Sequence, residues 1–326
     1  MAELPTPSAE LTIPGVTLGH GSDLAGGTGV TVILCPAGVM AAAEVRGAAT
    51  GTRQFDSLVL AQHVASRAHA VVLAGGSAFG LSAADPVSDW LVEGGHGFAT
   101  ELGVIPIVPT AILFDLGVGD PAARPGTALV REALETAAAG TIATGNVGAG
   151  TGATVGKARG IEHAMKGGFG FVALTPEGGP TVAAAVAVNA FGDVRDPDSG
   201  RLLAGCRRDG SPPSLAGAEA VLANLPADPF DPWQGNTTLA VVMSDAALSK
   251  DAALMVSRMA FGGFHRALAP ALTLYDGDLV VTLSCGTRRA HVNQIGTLAE
   301  RAVGLAIAAA ALDAEGLAGL PAARDL

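Results

Sequence analysis

Residues 181–188 read TVAAAVAV, an uncharged run of valines and small alanines after one threonine. Its length is that of a strand, and both faces are apolar, so the strand it predicts must be covered on two sides. Five other runs share this character: GVTVIL (29–34), AVVLA (70–74), GFVALT (170–175), TLAVVMS (238–244) and DLVVTLS (278–284). The cover is written nearby. Ala253, Val256, Ala260 and Phe264 recur on one helical face, as do Val292, Ile295, Ala299, Ala302 and Ala306. Forty-five glycines and many alanines allow these elements to approach closely, which predicts an α/β fold built in layers.

With 326 residues and a hydrophobic share of 49%, the chain can bury a sizeable core. Its net charge of -11 offers no general attraction for phosphate backbones or anionic membranes. One Tyr and two Trp leave few rings for base stacking, so neither nucleic acid nor membrane is expected as a partner. MAELPTPSAELTIPGV at the N-terminus lacks the basic and apolar regions of a secretory signal, and a cytoplasmic protein is expected. The longest apolar run, AVGLAIAAAAL (302–312), is about half the ~20 residues of a membrane span. Cys35, Cys206 and Cys285 fit neither a disulfide framework nor a metal pair and read as reduced thiols. The seven histidines form no metal-ligand spacing, and DPDSG (196–200) lacks a calcium loop's closing acid, having Arg207 at the twelfth position.

Residues 195–236 break the apolar pattern with Pro, Gly, Asp and Arg clusters around a short helical stretch, and read as the most accessible long segment. Strand and helix patterns continue on both sides, so residues 1–326 are expected to be one domain. LAGGSAFGLSAADPVSDW (73–90) reads as strand, glycine turn and helix with Ser77 as N-cap, and matches no phosphate-loop or nucleophile-elbow spacing.

The segment 195–236 ends in Gln234-Gly235-Asn236-Thr237-Thr238, where a loop meets a strand. A Thr237 hydroxyl attacking the preceding carbonyl would give an ester that water cleaves, with Gly235 easing the backbone geometry. The freed Thr237 would carry an α-amine of pKa about 7.7 to 8.0 beside its own hydroxyl, nucleophile and base in one residue. The same letters also describe a turn feeding a β-branched strand, or a glycosylation sequon. Tyr275-Asp276-Gly277-Asp278 opens the last strand with two carboxylates on one face. They can orient a hydroxyl or an ammonium, with one pKa pushed up by the other, or form an ordinary Asp-Gly turn. Lys157, among small residues, can steady negative charge or lie at the surface; Asn189 can donate to an oxyanion or cap a turn.

Seven segments together resemble one family: VRGAATGTR (45–53), LAGGSAFGLSAADPV (73–87), IPIVPTAILFDL (105–116), TGATVGKA (151–158), AVAVNAFGDV (185–194), GNTTLAVVMSDAALSK (235–250) and NQIGTLAERAVGLAI (293–307). It is the L-aminopeptidase/D-esterase and nylon-oligomer hydrolase family of self-processing hydrolases. The resemblance covers nearly the whole chain in order. It implies a four-layer α/β/β/α sandwich of the N-terminal nucleophile type, cleaved between Asn236 and Thr237 into residues 1–236 and 237–326, which stay associated. It further implies Thr237 as nucleophile, Asn189 as oxyanion donor, Lys157 as site cation and Asp276 with Asp278 as the hydroxyl-orienting pair. The substrate would be a small peptide or oligoamide, with no metal or organic cofactor, and the protein a homo-oligomer, often a tetramer of processed units. Thr237, Asp276 and Asp278 look like the nylon-oligomer branch, whereas the aminopeptidase branch has Ser nucleophiles with Ser and Glu in the second cluster. Phe114 stands where some relatives of that oligomer branch carry Tyr. An aminopeptidase, an acyltransferase of the ornithine-acetylating kind and a non-catalytic binding protein stay open as alternatives.

Overall fold

The structure, a computed structural model, describes residues 4–210, 214–224 and 235–326. Nine strands form its main sheet: β1 (Thr17–Asp23), β2 (Thr28–Val45), β3 (Thr52–Arg53), β4 (Arg67–Ala74), β5 (Thr110–Ile112), β6 (Gly168–Leu174), β7 (Val182–Asn189), β8 (Thr237–Ala246) and β9 (Leu279–Arg288). Their order is β6-β7-β8-β9-β2-β4-β5-β3, with β1 paired to β2. The β8–β9 and β4–β5 pairs are parallel and the rest antiparallel.

One strand turns this single ladder into two layers. β2 pairs with β4 through residues 30–34 and again through 39–40, and with β9 through residues 40–45; its register with β4 shifts between Leu34 and Val39. Gly38 sits there at a φ of 71°, a conformation that costs glycine little. The two halves of the sheet fold face to face, and strand alternation then assigns every side chain a layer. Ala183, Ala185, Leu239, Val241, Leu279 and Val281 point inward to meet Ile33, Val71, Leu73 and Ala111 of the other half. The alternate positions Val182, Val186, Ala240, Val242 and Val280 point outward.

Four helices complete the sandwich: α1 (Ala84–Glu93), α2 (Thr127–Thr136), α3 (Lys250–Ala267) and α4 (Val292–Leu312). α3 and α4 cover the β6–β9 half through Val256, Ala260, Phe264, Ile295, Ala302 and Ala306. α1 and α2 cover the other half, where Val87, Leu91, Val130 and Ala133 meet Val30, Val32 and Val72. The layers are therefore α/β/β/α. α3 starts where the Ser249 hydroxyl accepts the Ala252 amide, and ends with His265 and Arg266 where the helix dipole favours cations. α4 lies so close to β6 that a Cβ on Gly170 would fall 1.9 Å from the Ala306 carbonyl oxygen.

α4 carries the helical face expected from Val292 to Ala306 and, among the described residues, is the one helix long and apolar enough to cross a bilayer; most of it is buried in the fold. The structure departs from the sequence expectations at two places. Ser77 is not an N-cap: it stands at a φ of 54° inside a 3₁₀ turn (Ser77–Ala83) that Gly76 precedes. The segment 195–236 is not accessible throughout, because Leu203, Ala204 and Cys206 are buried beside Asp193. The Asp193 carboxylate accepts the Cys206 and Ala218 amides at 2.6 Å each and ties the segment down. Gln234 lies outside the described residues. Of the thiols, Cys35 and Cys206 are buried, Cys285 is half-buried, and all three are free.

Candidate active site

Thr237 is the first residue of β8 and stands opposite Asn189, the last residue of β7. On the other side Asn236 bridges to Asp276 in a parallel sense, because β9 runs alongside β8. These pairings bring three distant segments of sequence, 189, 236–238 and 275–278, to one end of the sheet. Loop residues hold the last of them: the Ala49 amide donates to the Asp276 carbonyl at 3.0 Å and the Gly47 amide to the Asp278 carbonyl at 2.9 Å.

The Asn236–Thr237 peptide link, intact in this structure, is buried. The Asn236 carbonyl oxygen accepts the Gly277 amide at 2.8 Å, and the Asn236 amide donates to the Tyr275 carbonyl at 3.2 Å. The Thr237 hydroxyl donates to that same Asn236 carbonyl oxygen. Gly277 must be a glycine for steric reasons: a Cβ there would lie 2.7 Å from the Thr237 hydroxyl oxygen and 2.7 Å from the Ala49 carbonyl oxygen.

Asp276 and Asp278 come together as the sequence led us to expect, but among the described residues neither hydrogen-bonds the Thr237 hydroxyl. Asp278 accepts the Thr238 amide at 2.7 Å and the Leu272 amide at 3.3 Å. Asp276 accepts the Phe191 and Thr273 amides at 3.0 Å each and the Thr273 hydroxyl at 2.5 Å. Burial raises the pKa of both carboxyls, and the charge of Asp276 pushes Asp278 further up.

Lys157 is buried, not a surface residue. Its ammonium reaches the Thr154 carbonyl at 2.8 Å, the Asn189 carbonyl and side-chain oxygen at 3.1 Å each, and the Ala190 carbonyl at 3.2 Å. Burial brings its pKa down to about 7, against the opposing attraction of Asp276 and Asp278. With its oxygen held by Lys157 and Thr154, the Asn189 amide must present its NH₂ the other way. That group donates to the Phe114 carbonyl at 3.0 Å and to the Gly235 carbonyl at 3.3 Å, one residue upstream of the Asn236 carbonyl.

A cavity of about 270 Å³ opens beside Gly235 and Lys157, lined also by Phe114, Leu116, Thr154 and Ile161. Two charged residues near it escaped the sequence analysis. Asp115 accepts the Thr28 hydroxyl and the Gly76 amide at 2.7 Å each, and burial raises its pKa. Lys166 is fully buried, donates to the Thr151 and Ala153 carbonyls, and is brought down to about 7 by burial. A lone lysine ahead of a glycine-rich strand gives no local signal of this; its acceptors lie more than ten residues away.

Comparison with known proteins gives this arrangement a family. Residues 11–323 match the model of Peptidase family S58. An uncharacterized aminopeptidase of Mycobacterium leprae is 38% identical over 345 residues, covering 95% of this chain and 91% of that protein. A 6-aminohexanoate-oligomer endohydrolase of a Kocuria species is 30% identical over 279 residues, covering 83% and 73%. Among solved structures, the L-aminopeptidase D-Ala-esterase/amidase of Ochrobactrum anthropi, described as a variant of the Ntn hydrolase fold, superposes with a TM-score of 0.71. That match covers 98% of this chain and 90% of the other at 18% identity, and shows the shared fold. The chain belongs to peptidase family S58 and is a hydrolase of amide bonds.

Proposed function

We propose that the chain cuts its own backbone between Asn236 and Thr237, and that the freed Thr237 then hydrolyses small peptides or oligoamides without a metal or organic cofactor. The observation that carries this reading is the Asn236 carbonyl, which accepts the Gly277 amide while the Thr237 hydroxyl lies against it. In the first reaction the Thr237 oxygen attacks the Asn236 carbonyl carbon, and the carbon–nitrogen bond breaks as the Thr237 nitrogen takes up the proton that the hydroxyl gives up. The ester so formed is opened by water, leaving an Asn236 carboxylate and a free Thr237 α-amine. In turnover that amine accepts the hydroxyl proton as the oxygen attacks a substrate amide, and passes it to the departing amine. Water then releases the acyl group by the same route. Lys157 and Asn189 form one hydrogen-bonded unit beside this centre, and in this reading the Asn189 NH₂, held in place by Lys157, turns to the oxyanion as charge develops.

Intact-mass measurement of the purified protein, with N-terminal sequencing, tests the proposal. Two fragments are expected, one of them beginning at Thr237. An active protein that remains a single 32.1 kDa chain would overturn it.

A second reading, aminopeptidase action, is favoured by the 38% identity to the uncharacterized aminopeptidase of Mycobacterium leprae. Amino-acid amides assayed against 6-aminohexanoate oligomers separate the two. The reading also includes a cytoplasmic homo-oligomer, a tetramer of processed units. The exposed Phe98, Leu102 and Ile105 on one hairpin are apolar surface that contact between subunits would cover. Light scattering measures the number of copies.

A further inference from the structure

From the contacts of Gly235 and Asn236 we infer that the acyl half of a substrate docks as a short parallel β-strand on Tyr275–Gly277. There Gly277 N–H holds the scissile carbonyl, and the Tyr275 carbonyl reads an N–H one carbon upstream. The inference rests on the self-cleavage proposed above. If one nucleophile serves both reactions, the acyl group of the first ester is Asn236 itself. The atoms that hold residues 235 and 236 therefore line the acyl subsite once those residues withdraw.

Three polar contacts define the track. Gly277 N–H donates to the Asn236 carbonyl at 2.8 Å, the Tyr275 carbonyl accepts the Asn236 amide at 3.2 Å, and the Asn189 side chain donates to the Gly235 carbonyl at 3.3 Å. The Asn236–Asp276 bridge is a single parallel pair in the register of β8 and β9, so these contacts extend that pairing toward the cavity. Main-chain pairing of this kind gives affinity for an extended peptide. All three holding groups are fixed before a substrate arrives: Asn189 by Lys157 and Thr154, and Tyr275–Gly277 by Ala49 and by the Asp276 carboxylate. Past Gly235 the track opens into the cavity walled by Phe114, Leu116 and Ile161.

Two selectivities follow. The Tyr275 carbonyl is matched to an amide N–H on the acyl-side residue, that is, to an internal bond of an α-peptide. A terminal ammonium would want a carboxylate, yet Asp276 and Asp278 already accept three and two hydrogen bonds. A 6-aminohexanoyl unit carries its N–H five carbons from the carbonyl instead of one, and so misses Tyr275.

The test uses the processed protein and four p-nitroanilides: acetyl-Gly-Asn, its ester analogue in which oxygen replaces the Asn N–H, free Asn, and acetyl-6-aminohexanoyl. The first should have the highest kcat/KM, with each of the others lower by about tenfold or more, the scale of one unmatched buried hydrogen-bonding group. An ester analogue cleaved as well as its parent, a preference for free Asn or for the aminohexanoyl compound, or no cleavage of any of the four overturns the inference. Intact mass on the same sample separates the two levels. In a protein cut at 236/237 these outcomes overturn the docking track alone, whereas an uncut protein overturns the self-cleavage and the track together.

Discussion

The amide of Gly277 and the carbonyl of Asn236 meet at 2.8 Å, and the hydroxyl of Thr237 rests against the same oxygen. A donor in place before any charge develops costs no reorganisation during reaction, which is how a buried site favours an oxyanion. β8 and β9 run parallel and in register from Leu239 and Leu279 onward, and that register sets the alignment of the two residues.

Gly277→Ala should slow self-cleavage at least about a hundredfold, because the new methyl sits 2.7 Å from the Thr237 hydroxyl oxygen and must displace it. Overpacking should also cost about 1–3 kcal/mol of stability. A time course on denaturing gels with a urea melt of the same protein reads both effects, and unchanged fragment appearance would remove Gly277 from the reaction.

Thr237→Ala should yield a single full-length chain with no amidase activity, folded as the parent is. Thr237→Ser keeps the hydroxyl and loses a buried methyl, so it should still process, at a rate within about tenfold of the parent, with a loss of about 1 kcal/mol. Mass spectrometry and circular dichroism measure these outcomes. Fragments from the Ala variant would move the nucleophile elsewhere.

Asp278→Ala strands the Thr238 and Leu272 amides and should cost about 1–3 kcal/mol, whereas Asp278→Asn keeps one acceptor oxygen. The folded pKa of Asp278 lies well above its ordinary value. Its stabilising contribution is therefore complete below about pH 4 and is lost as pH rises through the folded value. The parent should lose stability relative to the Asn variant as pH rises above about 4. Urea unfolding at several pH values checks the sign, and parallel curves would refute it.

Lys157→Met leaves four oxygen acceptors without their shared donor and should cost about 3 kcal/mol or more. The Asn189 amide, then held by Thr154 alone, is less firmly oriented, so processing should slow as well. The folded pKa of about 7 lies below the ordinary 10.5, so the folded protein sheds this proton first, and parent stability should rise between those two values. Denaturation curves across that range should show the slope in the parent and lose it in the Met variant.

Much of the fold was legible in the sequence because its strands lie between a helix layer and a second sheet face, and so are apolar on both sides. The bend in β2 was not: GVTVIL predicts a strand over 29–34 and nothing beyond it. Only the pairing of residues 40–45 with β9 shows the strand continuing. The site divided along the same line. Thr237 and the two aspartates stand in local patterns that chemistry can interpret. The burial of Lys157 comes from carbonyls 3 to 33 positions away, and the need for glycine at 277 comes from a hydroxyl 40 positions earlier. Such requirements belong to neighbours in space and leave no periodicity behind.

β8 and β9 lie side by side in the interior of the ladder, gripped by β7 on one flank and β2 on the other. A cut just before Thr237 severs the chain at a strand's tip and leaves both grips untouched. After such a cut the shorter piece would stay dovetailed into the longer one, because it could slide free only by unzipping the rows of main-chain hydrogen bonds to β7 and β2. The molecule can thus gain a new chain end at its centre and still behave, until denatured, as one body.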